Sequence, residues 1–268
     1  MRSAPSTSSL ALAGKLHQSC VWAEPTFSMK TRSLMFALAA VVGAPFSVAQ
    51  AQTLPTQVAA DVQTAVAAGD TAKLEQLVKD NPTLAAPIAQ AAARQAASIA
   101  TSSPAAAASV ATFANGVAAN IAGSNPSAAS AIVVATAQVA STAAVMFSVP
   151  AAAASVASGA ASIASQSAVA AANPGAAATI AQQVVTVASN AGVIAAAPGM
   201  AGQAATNAAA VVALSSVSQA APTIASQVTT AAQTVKSNPL VANAPVVTPV
   251  GDSFNAGQNA NKVSPAGE

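Results

Sequence analysis

Four carboxylates, Asp61, Asp70, Glu75 and Asp80, fall within twenty residues of one another, and oxygen ligands of this kind are what a hard divalent cation takes. Their spacing of 9, 5 and 5 residues fits no EF-hand loop, whose ligands alternate within about twelve residues around a central glycine. A second oxygen-bearing set, Asp252 with Asn255 and Asn259, fails on spacing in the same way. Neither set is expected to hold a metal. Serines are abundant, but a nucleophilic serine needs a neighbouring base to take its proton. From Gln95 to Val235 there are 141 consecutive residues without one Asp, Glu, Lys, Arg, His, Cys or Tyr. General acid–base chemistry has nothing to work with there, so hydroxyls such as Ser109, Ser155 and Ser226 are expected to be polar groups on helix surfaces. Gly199 and Gly202, in the run PGMAG, belong to no GxGxxG or Walker pattern and have no adjacent lysine; they read as kinks or points of close packing. No catalytic, cofactor-binding or metal-binding residues are expected, no cofactor, and no small-molecule substrate.

The one histidine, the one cysteine and the one tryptophan, His17, Cys20 and Trp22, all lie near the N-terminus, upstream of a recognisable processing signal. Lys30 and Arg32 come after Met29 and precede the apolar run from Leu34 to Val42, and Ala49-Gln50-Ala51 supplies a small-x-small cleavage site. This is the pattern of a secretory signal peptide over 29–51. The apolar run is shorter than the roughly 20 residues of a membrane span and is interrupted by Pro45. Residues 1–28 are expected to be an upstream mis-called start or a disordered leader. Cleavage after Ala51 would leave no His or Cys for metal sites or disulfides. It would also turn the formal charge of +2 into about −1, since Lys73, Lys79, Arg94, Lys236 and Lys262 then face Asp61, Asp70, Glu75, Asp80, Asp252 and Glu268. The pI near 9.0 of the full chain is therefore no sign of nucleic-acid binding, for which a basic stripe and stacking aromatics would be needed.

The elements that carry these residues are set by alanine and proline. Between Pro55 and Asp80, Val58, Val62 and Val66 recur every four residues and Gly69 followed by Asp70 reads as a helix stop and the next start, with Leu74, Leu77 and Val78 on the buried face. This predicts a helical hairpin over 52–80, with Glu75 and Lys79 as an i,i+4 pair, acting as a solubilising cap on a repeat array. From 81 to 238 prolines recur at Pro82, Pro104, Pro126, Pro150, Pro174, Pro198 and Pro222, with Pro239 closing the series. Alanine stands three residues after each of the first seven. Six residues after, Ile88, Val110, Ile132, Val156, Ile180 and Val228 provide an apolar anchor, Ala204 being the exception, and Ile99, Ile121, Val145, Val169, Val193 and Val217 provide another five residues before the next proline.

Such a period implies stacked supersecondary units. Asn81, Ser103, Asn125, Asn173 and Asn238 before proline are N-cap and N1 pairs, and alanine favours helix between them. The fold class predicted is all-α, an alanine-rich helical repeat array with a 22–24-residue period. In the 22-residue units the two anchors are 11 apart and share a helix face; in the 24-residue units they are 13 apart and do not. A turn in mid-unit resolves this, giving an α-solenoid of short helix pairs of roughly nine or ten residues. The alternative is antiparallel helices of about 20 residues turning only at the prolines. Residues 239–268, rich in Pro, Gly and Asn, read as a disordered tail.

The expectation for function is an exported structural or interaction protein of the periplasm or cell surface. Its nearly uncharged exterior lacks the repulsion that keeps copies apart, which makes self-association, or an envelope or extracellular protein, the expected partner. Contact with a membrane is less favoured: Ser127 to Val149 is apolar and uncharged, but positive flanks are missing. The third reading, a binder of ice or a polymer, calls for hydroxyl ranks recurring with the repeat. Thr101 and Thr112, and Thr223 and Thr234, are each 11 apart.

Overall fold

The computed structural model describes residues 53–245. The expected signal peptide at 29–51, the segment 1–28 with His17 and Cys20, and the tail beyond Pro245 with Asp252, Asn255 and Asn259 lie outside the described residues. Fourteen α-helices are found within them and no strand. Helices α1 (Thr56–Ala68) and α2 (Thr71–Asp80) form the N-terminal hairpin. Gly69 joins them with φ +66°, a left-handed position that suits a residue without Cβ. A single 3-10 turn, Pro82–Leu84, leads into α3 (Ala85–Ile99), and α4 runs over Pro104–Ile121.

From Pro126 onward each unit is a long helix followed by a short one. The long helices are α5 (Pro126–Ser141), α7 (Pro150–Ala164), α9 (Pro174–Ala188), α11 (Pro198–Ala213) and α13 (Pro222–Lys236). The short ones are α6 (Ala143–Ser148), α8 (Ser167–Ala172), α10 (Ala191–Ala196), α12 (Ser215–Ala220) and α14 (Pro239–Ala242). The all-α repeat array is thus as the sequence predicts, and the 24-residue units do turn in mid-unit. Their partition is unequal, 15 or 16 residues against 6, while the 22-residue unit opened by Pro104 contains one uninterrupted helix of 18. Pro239 falls where the other short helices begin and opens α14, so the tail read over 239–268 is corrected at its start: Pro239–Ala242 is helical because Asn238 caps it as it would another unit's short helix.

The turn has a local cause. At the sixteenth residue after each proline from Pro126 to Pro222 the backbone is extended: Thr142, Gln166, Asn190, Leu214 and Asn238 all have φ between −65° and −69° and ψ near 130°. The residue before it is a serine in four of these five units. Ser141, Ser165, Ser189 and Ser237 donate their hydroxyls to the carbonyls three residues back at 3.1, 2.7, 3.1 and 3.0 Å. These bonds satisfy carbonyls that have no amide partner where a helix ends, and offer the backbone an alternative to another helical turn. After α3 and α4, Ser102 and Ser124 also donate to carbonyls three residues back, those of Ile99 and Ile121, which accept backbone amides as well. At the other end of each unit the residue before proline leaves the α region, with φ from −130° to −153° in every case from Asn81 to Ala221, because the proline Cδ crowds it there. Three of the five expected N-cap side chains accept an amide: Asn125, Asn173 and Asn238. Asn81 instead donates to the Leu77 carbonyl at 3.0 Å, and Ser103 makes no side-chain cap bond.

The long helices stack in two rows. Each of α3, α4, α5, α7, α9, α11 and α13 touches its neighbours and its second neighbours among them, which places α3, α5, α9 and α13 in one row and α4, α7 and α11 in the other. An inner helix therefore has neighbours on three sides and keeps one narrow exposed stripe. Only small side chains allow such crowding at ordinary helix–helix spacing, which is the work alanine does here. The positions six after proline are the pins, Ile88, Val110, Ile132, Val156, Ile180 and Val228 being all but inaccessible, and the exceptional Ala204 is buried with them. Val145, Val169, Val193 and Val217 are buried on the short helices, whereas Ile99 and Ile121 are half-buried at the ends of α3 and α4.

Candidate functional site

The four clustered carboxylates are dispersed by the hairpin. Asp70 caps α2 by accepting the Lys73 amide at 2.9 Å. Asp61 on α1 pairs with the Lys73 ammonium at 3.5 Å and accepts from Gln57. Asp80 accepts from Gln76 at 2.8 Å. The i,i+4 partner on α2 is thus an amide, and the expected Glu75–Lys79 pair is not among the ion pairs of the described residues. No three His, Cys, Asp or Glu side chains converge among the described residues.

Within the array the polar groups that converge are amides and hydroxyls. Asn115 on α4 is buried and its Nδ2 donates to the Val156 carbonyl of α7 at 3.0 Å, while its Oδ1 accepts from Thr136 Oγ1 of α5 at 2.6 Å. Gly159 leaves room for it, since a Cβ there would lie 3.2 Å from Asn115 Nδ2. From the other side of α7, Asn207 of α11 donates to the carbonyl and hydroxyl oxygens of Ser158 at 3.2 and 3.3 Å, and is itself held by Gln203 at 2.9 Å. Helix α7 thus receives one amide from each flanking helix of its row. Two buried oxygens, Ser130 Oγ and Gln183 Oε1, have no partner. The candidate serine hydroxyls lie toward the exterior: Ser109 donates to the Ala105 carbonyl at 3.1 Å, Ser155 is half-buried and Ser226 exposed. Thr223 and Thr234 share the exposed face of α13, but Thr101 lies in the turn before α4 and shares no helix with Thr112.

The surface of the described residues includes two open hollows. One, of about 290 Å³, lies where α14 meets α11 and is lined by Gly199, Gly202, Gln203, Thr206, Val241 and, as its single ionisable group, Lys236. Gly202 is a close-packing point there, because a Cβ would come within 2.7 Å of Val241. The other, of about 490 Å³, lies between α6 and α10 and is lined by Met146, Phe147, Pro150, Asn190, Ala191 and Gly192. Phe147 is 93% exposed. It lies two residues before the end of the apolar segment Ser127 to Val149, which Thr142 divides between α5 and α6, with Ile132, Val133, Val139 and Val145 turned into the core. Among the described residues no helix is long and apolar enough to cross a membrane.

One arrangement was out of reach of a unit-by-unit reading. Because alternate long helices share a row, surface positions recur every 48 residues. Ser141, Ser189 and Ser237, at the C-terminal ends of α5, α9 and α13, and likewise Gln138, Thr186 and Thr234 within them, occupy matching places on the side left open to solvent. The signal is visible at twice the repeat length. No family model matches this chain, and comparisons with curated proteins and with solved structures find no match.

Proposed function

We propose that this chain is an exported structural or interaction protein that associates with its own kind in the periplasm or at the cell surface. The observation that carries the reading is the pairing of a two-row helical array with an exterior free of ionisable groups from Gln95 to Val235. Such a surface meets its copies without like-charge repulsion. Export rests on the leader pattern at 29–51. A membrane-associated role has less support, since the apolar segment from Ser127 to Val149 spends its largest side chains on the array's own core.

A second reading, recognition of a repetitive uncharged polymer, is favoured by one observation: the serine and Thr/Gln ranks that recur on α5, α9 and α13. Thr186 and Thr234 donate to carbonyls of their own helix at 2.9 and 3.1 Å, so each presents a methyl group and an acceptor oxygen outward.

The test is to express the full chain with a C-terminal tag in a Gram-negative host, fractionate the cells and sequence the N-terminus of the product. The reading expects a periplasmic or released protein beginning at Gln52, whose mass in sedimentation rises with concentration. Retention in the cytoplasm with residues 29–51 attached would sink export. Recovery in carbonate-washed membranes would favour the membrane role instead.

A further inference from the structure

We infer that the edge formed by α6, α10 and α14 pairs with the same edge of a second copy, the Phe147 ring of each chain entering the hollow beside Gly192 of the other. The inference rests on the self-association reading above and names its surface.

The array has two edges of short helices, and they differ. Helices α8 and α12 touch each other along one; α6, α10 and α14 are strung along the other. Exposed on the first are Ser167, Ser215 and Gln219 among the alanines Ala168, Ala171, Ala172 and Ala220, with no large apolar side chain; on the second the exposed positions include Phe147, Ala191, Gly192 and, 57% exposed, Leu240. Positions 147, 171, 195 and 219 are equivalent in successive units, yet they hold Phe, Ala, Ala and Gln. The other aromatic among the described residues, Phe113, is 7% exposed. One exposed ring is ordinary on a protein surface, but Phe147 stands with Met146, Ala191 and Gly192 around one hollow, and an apolar patch of that kind marks a contact site.

The occupant is set by the surroundings of the ring. Phe147 is a projecting knob and forms one wall of a hollow of about 490 Å³, large enough for a second ring to lie offset against it. Knob and hollow on one patch are what a two-fold contact requires, because each copy must offer both halves. The residues around the Phe147 hollow carry no ionisable group, Lys236 lining the separate hollow at α14, so two copies meet there without repulsion and a partner selected by charge finds nothing to read. The ends of the array do not compete. The outer face of α13 shows Thr223, Gln227, Thr230 and Thr234, and the charged hairpin covers the other end, as terminal repeats of a solenoid do. Two rings bury roughly 150–250 Å² each, and small neighbours add to this without reaching the roughly 1,200 Å² or more of a stable complex. The expected product is therefore a weak closed dimer, with a Kd between roughly 10 μM and 1 mM.

Sedimentation equilibrium of the full chain tests this against two variants. Phe147→Ser removes an exposed ring and leaves the core untouched; the double variant Phe147→Ala with Ala171→Phe moves the ring to the equivalent place on the opposite edge and keeps the chain's hydrophobicity. The expected results are a monomer–dimer equilibrium for the parent and at least a tenfold weaker one for both variants. Undiminished dimerisation of Phe147→Ser, or of the double variant, overturns the edge while leaving self-association standing. A parent chain that stays monomeric to about 1 mM overturns self-association itself.

Discussion

The hairpin at Thr56–Asp80 and the array from Ala85 to Lys236 reach the same secondary structure by different chemistry. The hairpin ends one helix with a left-handed glycine, starts the next with an aspartate that accepts an amide, ties the two with Asp61 and Lys73, and fills its centre with Leu74. Each device is a side chain with a separable job. The array has almost none of these. It starts helices with proline, stops them with a serine hydroxyl on a carbonyl, and gains cohesion because alanine lets each helix touch several others. An uncharged chain can therefore specify a fold if backbone punctuation recurs often enough and one β-branched pin per helix fixes the depth of packing.

That contrast is tested hardest at the pins. Ile180 sits fully buried on α9 among alanines, which have no side-chain freedom with which to close a cavity. Ile180→Ala is expected to cost about 2–5 kcal/mol. Leu74→Ala is expected to cost a similar amount, but locally: in a stack that contacts only near neighbours, hydrogen exchange should report the loss in α1 and α2 while the amides of α9 and α11 stay protected. Equal loss of protection along the whole chain after Leu74→Ala would mean the two regions are one cooperative unit.

The next effect is at the joint between the regions. Gly69 has φ +66°, and a Cβ there would stand 2.9 Å from Ala106 Cβ and 3.2 Å from its Cα on α4. Strain and contact act together, because Ala106 belongs to a helix held on several sides and cannot retreat. Gly69→Val should cost about 1–3 kcal/mol, read as a lower urea midpoint. Asp70→Ala, which only removes the cap, should cost about 1 kcal/mol. If the cap variant proved the more damaging, the hairpin would be held by its own termini more than by its seat on the array.

Legibility in the sequence divides along the same line. The proline period, the helix starts and the burial of the anchors are legible because each reflects a local rule with its own residue type. The place of the mid-unit turn is harder to read: the extended residue is Thr142, Gln166, Asn190, Leu214 or Asn238, with no common chemistry. The informative residue is the serine before it, and in a chain crowded with serines it stands out only once the carbonyl it bonds is known. The two rows are a tertiary fact, so the 48-residue surface ranks and the apolar edge with Phe147 could not be seen from single units. The Asn115–Thr136 bond joins residues 21 apart, and nothing in either helix alone marks them as partners.

The smallest effect is the most selective. Asp61 and Lys73 are 3.5 Å apart with about a third or more of each side chain exposed, so the pair is expected to contribute about 0.2–1 kcal/mol and to fade as salt is added. The array has no ionisable groups between Gln95 and Val235 and gives salt nothing comparable to screen. Raising sodium chloride from about 10 to 300 mM should therefore lower the protection of hairpin amides slightly and leave those of α7, α9 and α11 unchanged. Lys73→Gln should remove the hairpin's response by removing the pair. If the array's amides fell in step with the hairpin's, its cohesion would depend on charges outside it, and close contact alone would not be what holds the array together.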